Sequence, residues 1–133
     1  MSDGGIERAT ASEGQWMVQA VIQPFKLDQV VRALETVEGF SGMTVGPVRG
    51  FGQEKLTDRT HGNPAHKAQD LVDDFTRKDR IEVVVTGRRI ADAVTAAIAR
   101  VAHTGNRGDG KIFMWPLSRV VRIRTMEEDN DAV

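Results

Sequence analysis

The residue pattern with the clearest chemical meaning is a glycine-rich loop that delivers a lysine. Gly105, Gly108 and Gly110 fall within six positions of one another. Lys111 follows directly, at the start of an apolar stretch. Glycine tolerates positive φ, so consecutive backbone N–H groups can turn toward one ligand, and the lysine adds a positive charge at the rim. The loop therefore indicates a site for an anion.

Arginines follow this loop at a spacing that suits a strand. Arg122 and Arg124 are two residues apart, so they would share one face of a strand over residues 118–124. With the glycines and the lysine they would form a cradle for a polyphosphate. The same pattern also fits a hairpin connection followed by solvated arginines. It argues against a P-loop NTPase, because Ile112 stands where that motif needs Ser or Thr.

Composition excludes several classes of protein. The chain has 133 residues, which suits one domain, and its 18 basic and 19 acidic residues give no electrostatic reason to expect nucleic acid. It contains no cysteine, and so neither a disulfide framework nor a thiolate site. No apolar run approaches the roughly 20 residues that span a bilayer. We therefore expect a cytoplasmic protein with no membrane insertion.

Hydrophobic periodicity predicts the elements that must position the loop. Alternating apolar residues indicate strands, and apolar residues three and four apart indicate helices. Their order is strand, helix, strand, strand, helix, strand, which is typical of an α+β, ferredoxin-like βαββαβ subunit. Both faces of the first strand are apolar, so we expect self-association through the open sheet face. The predicted strands are 16–23, 43–51, 80–86, 111–115 and 118–124, and the predicted helices are 26–38 and 88–102.

The segments outside this pattern differ in character. Residues 1–14 are small and polar, which predicts a disordered extension before a domain over 15–126, and residues 127–133 form an acidic tail. Residues 52–79 form a connection far longer than compact domains usually contain, so it is either functional or disordered. Within it, a capping Asn-Pro pair and apolar spacing predict a short amphipathic helix over residues 64–74.

The same connection holds His61 and His66, but no third ligand stands beside them, and the sequence predicts no metal site. The chain also lacks a conspicuous carboxylate pair near the glycine loop, so neither a nucleophile nor an acid–base pair can be assigned. We therefore expect a protein that is not an enzyme.

Segments along the chain, from about residue 16 to residue 129, resemble the P-II signal transduction family and occur in that family's order. Taken together they are far more specific than the glycine loop alone. They are QPFKLD at 23–28, SGMTV at 41–45, GFG at 50–52, RIEVVV at 80–85, TG at 104–105, GDGKIF at 108–113 and RVVRIRT at 119–125.

The resemblance implies a homotrimer that binds ATP or ADP, with Mg²⁺ accompanying ATP, in clefts between neighbouring subunits. The glycine loop would wrap the phosphates, and Arg124 would reach them across the subunit boundary. Thr44 would bond the adenine, with Val84 packed against it and Glu82 nearby. The nucleotide-binding residues implied in this way are Thr44, Phe51, Gly52, Glu82, Val84, Gly105, Gly108, Asp109, Gly110, Lys111, Arg122 and Arg124.

The resemblance also gives residues 52–79 a role, because they correspond to the family's T-loop, the arm that engages target proteins. Typical members carry a tyrosine there that is uridylylated, and this chain has no tyrosine. Glu54, beside Gln53, aligns with a glutamine that helps to hold Mg²⁺ and 2-oxoglutarate, and a carboxylate there would repel that dicarboxylate. Lys78 aligns with the lysine that pairs with 2-oxoglutarate. The second effector, 2-oxoglutarate or bicarbonate, is left open.

The expected function is therefore that of a nucleotide-responsive regulator. It would report adenylate state by reshaping its arm for a target protein, most conventionally in nitrogen metabolism. The alternative keeps the fold and the nucleotide but assigns the protein to inorganic-carbon metabolism, with bicarbonate as the second signal. The sequence does not identify the target.

Overall fold

The structure is a computed structural model that describes residues 14–51 and 75–133. Within these residues, two helices lie against a sheet of four strands. The predicted extension at the N-terminus, the predicted helix over 64–74 and the two loop histidines fall outside the described residues. The elements are β1 (Gln15–Ile22), α1 (Leu27–Glu35), β2 (Thr44–Gly50), β3 (Thr76–Thr86), α2 (Arg88–Ala102) and β4 (Gly110–Pro116).

The sheet has the strand order β2-β3-β1-β4, and every neighbouring pair is antiparallel. In the centre, Val18 of β1 lies opposite Val83 of β3 on one side and Met114 of β4 on the other. Both helices connect strands that are not neighbours, which is the split βαβ arrangement. The predicted α+β, ferredoxin-like class is confirmed.

One face of the sheet forms the core together with the helices. The alternation in β1 and β3 turns every second side chain toward α1 and α2, and the branched residues on this face are at most 1% exposed. Each such side chain contributes about 1.5–3 kcal/mol through its burial. The largest core side chains are Val18, Ile22, Val30, Leu34, Ile81, Val83, Val85, Val94 and Ile98.

The opposite face of the sheet carries large apolar side chains as well. Met17 and Val21 of β1 lie on it, as do Phe113 and Trp115 of β4. Phe113 is 48% exposed and Trp115 is 39% exposed. The helices pack on the core face, so these side chains form an apolar surface that the described residues of this subunit leave partly exposed.

The predicted first helix is too long at both ends. A 3-10 turn, Pro24–Lys26, precedes α1, and the helix ends at Glu35 rather than at residue 38. Bonds between residues three apart tighten the chain there, from Thr36 N–H to the Ala33 carbonyl at 3.2 Å and from Val37 N–H to the Leu34 carbonyl at 3.0 Å. By contrast, α2 has the predicted bounds.

The predicted last strand, over residues 118–124, is wrong. Leu117 N–H still donates to the Gln15 carbonyl at 2.8 Å, but beyond it the chain pairs with its own C-terminal residues instead of the sheet. Val121 forms one isolated bridge with Glu128, and residues 123–125 make a turn. The alternation over residues 118–124 thus belongs to one arm of a short hairpin. Side chains alternate there with the same period of two as in a strand of a sheet.

Candidate functional site

A cleft of about 340 Å³ opens on the uncovered sheet face. Thr44 at the start of β2 lies opposite Glu82 of β3, which brings two of the predicted residues side by side. Val84, two residues further along β3 and on the same face as Glu82, lies opposite Met17 of β1. The cleft is lined by Met17, Ser41, Gly42, Met43, Thr44, Glu82, Val84, Val120, Arg122, Ala132 and Val133.

The walls of this cleft combine apolar and polar groups. Met17 and Val84 supply apolar surface, while Thr44 and Glu82 supply a hydroxyl and a carboxylate. Gln19 donates from Nε2 to Glu82 Oε2 at 3.3 Å, which steadies that carboxylate. An apolar floor with a few convergent polar groups is the usual setting for a small-molecule ligand.

The far wall of the cleft is the C-terminal hairpin, residues 118–133. Arg119 Nε donates to Glu128 Oε1 at 2.6 Å. Val120 exchanges two bonds with Asp129, receiving its backbone N–H at 2.8 Å and donating to its carboxylate at 3.1 Å. Gln15 Nε2 donates to Asn130 Oδ1 at 2.5 Å, which ties the hairpin to the start of β1.

The structure separates the two predicted phosphate arginines. Arg122 lines the cleft, and its guanidinium donates to the Ala132 carbonyl at 3.3 Å. Arg124 lies in the turn at residues 123–125 and is not among the lining residues. The prediction that they share one face of a strand is wrong, because the turn between them ends the alternation.

The glycine-rich loop connects α2 to β4, and the carboxylate of Asp109 lies at its centre. Thr104 donates to this carboxylate twice, through Oγ1 at 2.5 Å and through its backbone N–H at 2.7 Å. Gly105 N–H donates at 2.9 Å, and Gln23 Nε2 at 3.0 Å. These bonds, the Thr104 hydroxyl first, hold the pKa of Asp109 well below its ordinary value. His103 Nδ1 lies 3.8 Å away, at the edge of ion-pair distance.

The glycines in this loop have the conformations that the sequence predicts. Gly105, Gly108 and Gly110 have φ values of 88°, 91° and 101°. At Gly110 a Cβ would lie 1.7 Å from the Val21 carbonyl oxygen, so no side chain fits between the loop and β1. Lys78 of β3 donates from Nζ to the Gly108 carbonyl. The loop is thus attached to two strands of the sheet.

Within one subunit the predicted residues form two groups. Thr44, Glu82, Val84 and Arg122 meet in the cleft, whereas Gly105, Gly108, Asp109, Gly110 and Lys111 form the loop, with Lys78 against it. The described lining of the cleft includes no residue of the loop.

The remaining predicted residues lie at the base of the arm. Phe51 directly follows β2, and its ring centroid lies 5.2 Å from that of Phe75, just before β3. Gly52, Gln53 and Glu54 lie outside the described residues.

Sequence reasoning missed that the C-terminal hairpin is a wall of the cleft. A signal for it was present, because the basic residues at 119, 122 and 124 precede an acidic run over residues 127–131. Opposite charges at that spacing are typical of two arms of a hairpin. It also missed Val120, Ala132 and Val133 as lining residues.

The described ranges add two further findings. They contain no group of three His, Asp or Glu side chains placed to hold a metal ion. Their helices are also not of a length and apolar character that could cross a bilayer.

Comparisons with known proteins point to one family. Residues 16–127 match the family model described as Nitrogen regulatory protein P-II. The chain is 46% identical over 116 residues to the nitrogen regulatory protein P-II of Pasteurella multocida, across 87% of this chain and 97% of that protein. It is 47% identical over 116 residues to nitrogen regulatory protein P-II 1 of Escherichia coli K12, with the same coverage.

Solved structures with this fold agree. The crystal structure of Arabidopsis thaliana PII bound to citrate aligns with a TM-score of 0.68 at 34% identity, over 91% of this chain and 94% of that one. The B. subtilis GlnK-ATP complex aligns with a TM-score of 0.69 at 27% identity, over 92% of this chain and 100% of that one.

Proposed function

The chain belongs to the P-II family of nitrogen regulatory proteins, and on that premise we propose that it is a trimeric signal transducer that binds ATP or ADP. P-II proteins are regulators and not enzymes. The nucleotide is therefore bound as a signal, and the arm over residues 52–79 carries that signal to a target protein in nitrogen metabolism.

The observation that carries this proposal is the cleft shared by Thr44, Glu82, Val84 and Arg122. These residues come from β2, from β3 and from the C-terminal hairpin, yet they line one space on the sheet face. The adenine ring lies against Val84 and bonds to Thr44. The GlnK-ATP complex, which has the same fold, supports an adenine nucleotide as the ligand.

The glycine loop and two cationic side chains bind the phosphates. Lys111 follows Gly110 at the start of β4 and is exposed. Arg122 already donates to an oxygen, the Ala132 carbonyl at 3.3 Å. The oxygens of a phosphate group share its negative charge and accept more strongly than a neutral carbonyl, so one of them replaces that carbonyl when nucleotide binds. Arg124, at the exposed turn, reaches the phosphates of a neighbouring subunit.

A trimer completes the site. The cleft and the glycine loop are separate groups within one subunit, so the loop that serves a given cleft comes from the neighbour. The uncovered sheet face with Phe113 and Trp115 provides the apolar surface that such an assembly buries.

The second signal acts at the base of the arm. Lys78 lies on β3 and contacts the Gly108 carbonyl, so an anionic effector held by Lys78 would act directly on the glycine loop. Gln53 and Glu54 lie outside the described residues. Three points therefore stay predictions. They are the choice between 2-oxoglutarate and bicarbonate as second effector, the alternative role in inorganic-carbon metabolism, and the binding of Mg²⁺ with ATP.

Calorimetry on the full chain tests the proposal. ATP and ADP are titrated separately, each with and without 2-oxoglutarate or bicarbonate. We expect saturable binding of both nucleotides and competition between them. The absence of binding heat with either nucleotide, at several temperatures, would contradict the proposed function.

A matched pair of arginine variants then locates the site. Arg122→Ala removes the only cationic side chain in the described cleft lining, and we expect it to weaken ATP binding about tenfold or more. Arg100→Ala removes an exposed arginine from the last turn of α2, outside the cleft, and leaves the affinity unchanged. Equal affinities in the two variants would place the nucleotide elsewhere.

A further inference from the structure

The glycine loop has one feature that does not suit a phosphate site. Asp109 lies between Gly108 and Gly110, immediately before Lys111, so a carboxylate is in the middle of the loop. A free carboxylate at that place would repel polyphosphate at short range. The geometry of its hydrogen bonds resolves the conflict.

The carboxylate is already saturated by the protein. Oδ1 accepts from the Thr104 hydroxyl at 2.5 Å and from Gln23 Nε2 at 3.0 Å, and Oδ2 accepts from two backbone N–H groups at 2.7 and 2.9 Å. A carboxylate has about four lone-pair sites, and each is used. The side chain is only 22% exposed. Its charge is therefore directed toward the loop's own donors and is compensated by them.

These bonds fix the first half of the loop. The N–H groups of Thr104 and Gly105 point at Asp109, and Asn106 N–H donates to the Thr104 hydroxyl at 3.1 Å. The three consecutive backbone N–H groups of residues 104–106 are thus all used in hydrogen bonds to Asp109 or to the hydroxyl beside it. The four hydrogen bonds to the carboxylate come from Gln23, Thr104 and Gly105, and none comes from the backbone between Gly108 and Lys111.

The same carboxylate joins the loop to the sheet. Gln23 directly follows β1, and its amide holds Asp109 from that side. Gly110 pairs with Ile22 in the β1–β4 ladder and lies too close to Val21 for any side chain. The loop therefore enters β4 from a fixed position, with its shape already set before a ligand arrives.

We propose that Asp109 is a positioning residue that holds the glycine loop ready for a polyphosphate without itself contacting the phosphates. This inference rests on the proposed function and deepens it, because it separates the organiser of the loop from the groups that bind. Preorganisation lowers the entropic cost of binding, because a loop that is already ordered loses little conformational freedom when the ligand binds.

The experiment compares Asp109→Asn with wild type for three ligands, adenosine, ADP and ATP, by calorimetry or by competition. Asparagine keeps the size of the side chain but turns one acceptor oxygen into a donor that faces donors. We expect ADP and ATP to bind about ten- to hundredfold more weakly, since a group left facing no partner costs about 1–3 kcal/mol. Adenosine binding stays unchanged, because adenosine has no phosphate for the loop to hold.

Hydrogen exchange on the nucleotide-free protein provides a second readout. The amides of Thr104 and Gly105 exchange faster in Asp109→Asn, while the amides of the β1–β3 ladder do not. Asp28→Asn is the matched control, because Asp28 is an exposed carboxylate in the first turn of α1. It leaves both the loop amides and the affinities unchanged.

A second pair of variants keeps the proposal testable if Asp109→Asn folds poorly. Thr104→Val removes the hydroxyl that donates to Asp109 and accepts from Asn106, and it reproduces part of the loss for ADP and ATP. Thr104→Ser retains the hydroxyl and restores the affinity.

Each opposite outcome has a distinct meaning. Tighter ADP and ATP binding by Asp109→Asn would show that Asp109 faces the phosphates, and this overturns the inference. An equal loss for adenosine would show a general structural role, and this also overturns it. If wild type binds no nucleotide, the proposed function fails, and the exchange measurement still decides whether Asp109 orders the loop.

Discussion

At the residue scale, Gly110 has the least freedom to change among the glycines that the structure describes. Its φ is 101°, and a Cβ at this position would lie 1.7 Å from the Val21 carbonyl oxygen. Both the backbone conformation and the contact exclude a side chain. The glycine therefore fixes how closely the glycine loop approaches β1.

Gly110→Ala should lower the free energy of unfolding by about 2 kcal/mol or more, because the loop must move away from β1 to make room. Gly46→Ala in β2 is the matched control, since nothing lies within 4 Å of its added Cβ and its φ is not positive. Urea unfolding followed by circular dichroism measures both. Similar midpoints for the two variants would contradict the close contact at Gly110.

The residue scale is also where sequence reasoning had its clearest success and a clear limit. The glycines of the loop were identifiable because only one residue type takes positive φ readily. Asp109 was assigned to the phosphates because it belongs to the same motif. The partners of its carboxylate come from Gln23 and Thr104, and no local pattern shows that residues 86 positions apart will meet.

At the element scale, the C-terminal hairpin is the part that differs most from expectation. Periodicity identified α2 with its bounds, because fifteen residues give a helical pattern several turns to repeat. The stretch over residues 118–124 has only a few alternations, and alternation does not reveal which partner a strand will find. Here the partner is the acidic run that follows it, through Val121 and Glu128.

Asp129 should hold this hairpin closed. Its carboxylate accepts from Val120 N–H at 3.1 Å, and its own φ is 53°, which alanine tolerates poorly. We expect Asp129→Ala to speed hydrogen exchange at the Val120 amide about tenfold, in line with the loss of one capping bond. Asp131→Ala removes the same charge from an exposed position two residues away and should not. Faster exchange in both variants would assign the effect to charge alone.

At the scale of the whole molecule, the uncovered sheet face is the surface that the proposed trimer would bury. The helices bury one face in a continuous core, whereas the other face exposes aromatic residues and carries the candidate cleft. The apolar first strand predicted this surface from sequence. Which residues face each other across subunits could not be predicted, because that depends on the relative placement of separate chains.

Phe113→Glu should dissociate the proposed trimer, because it places a charge on an apolar surface that must lose its water. Phe113 is 48% exposed in the single subunit. Phe25→Glu is the control, since Phe25 is 66% exposed but lies on the 3-10 turn before α1. Light scattering after size-exclusion chromatography measures the mass of each. A trimer that survives Phe113→Glu would mean that subunits meet through another surface.

The ring contact between Phe51 and Phe75 has a consequence for how this protein can diverge. The two rings lie 5.2 Å apart and stand on either side of residues 52–74, so both ends of that stretch are fixed to each other. Closing a loop costs only about 0.6 kcal/mol more for each doubling of its length. Insertions, deletions and replacements between the two phenylalanines therefore change the stability of the sheet very little. This stretch can therefore change in length and sequence while the cleft and the glycine loop keep their places.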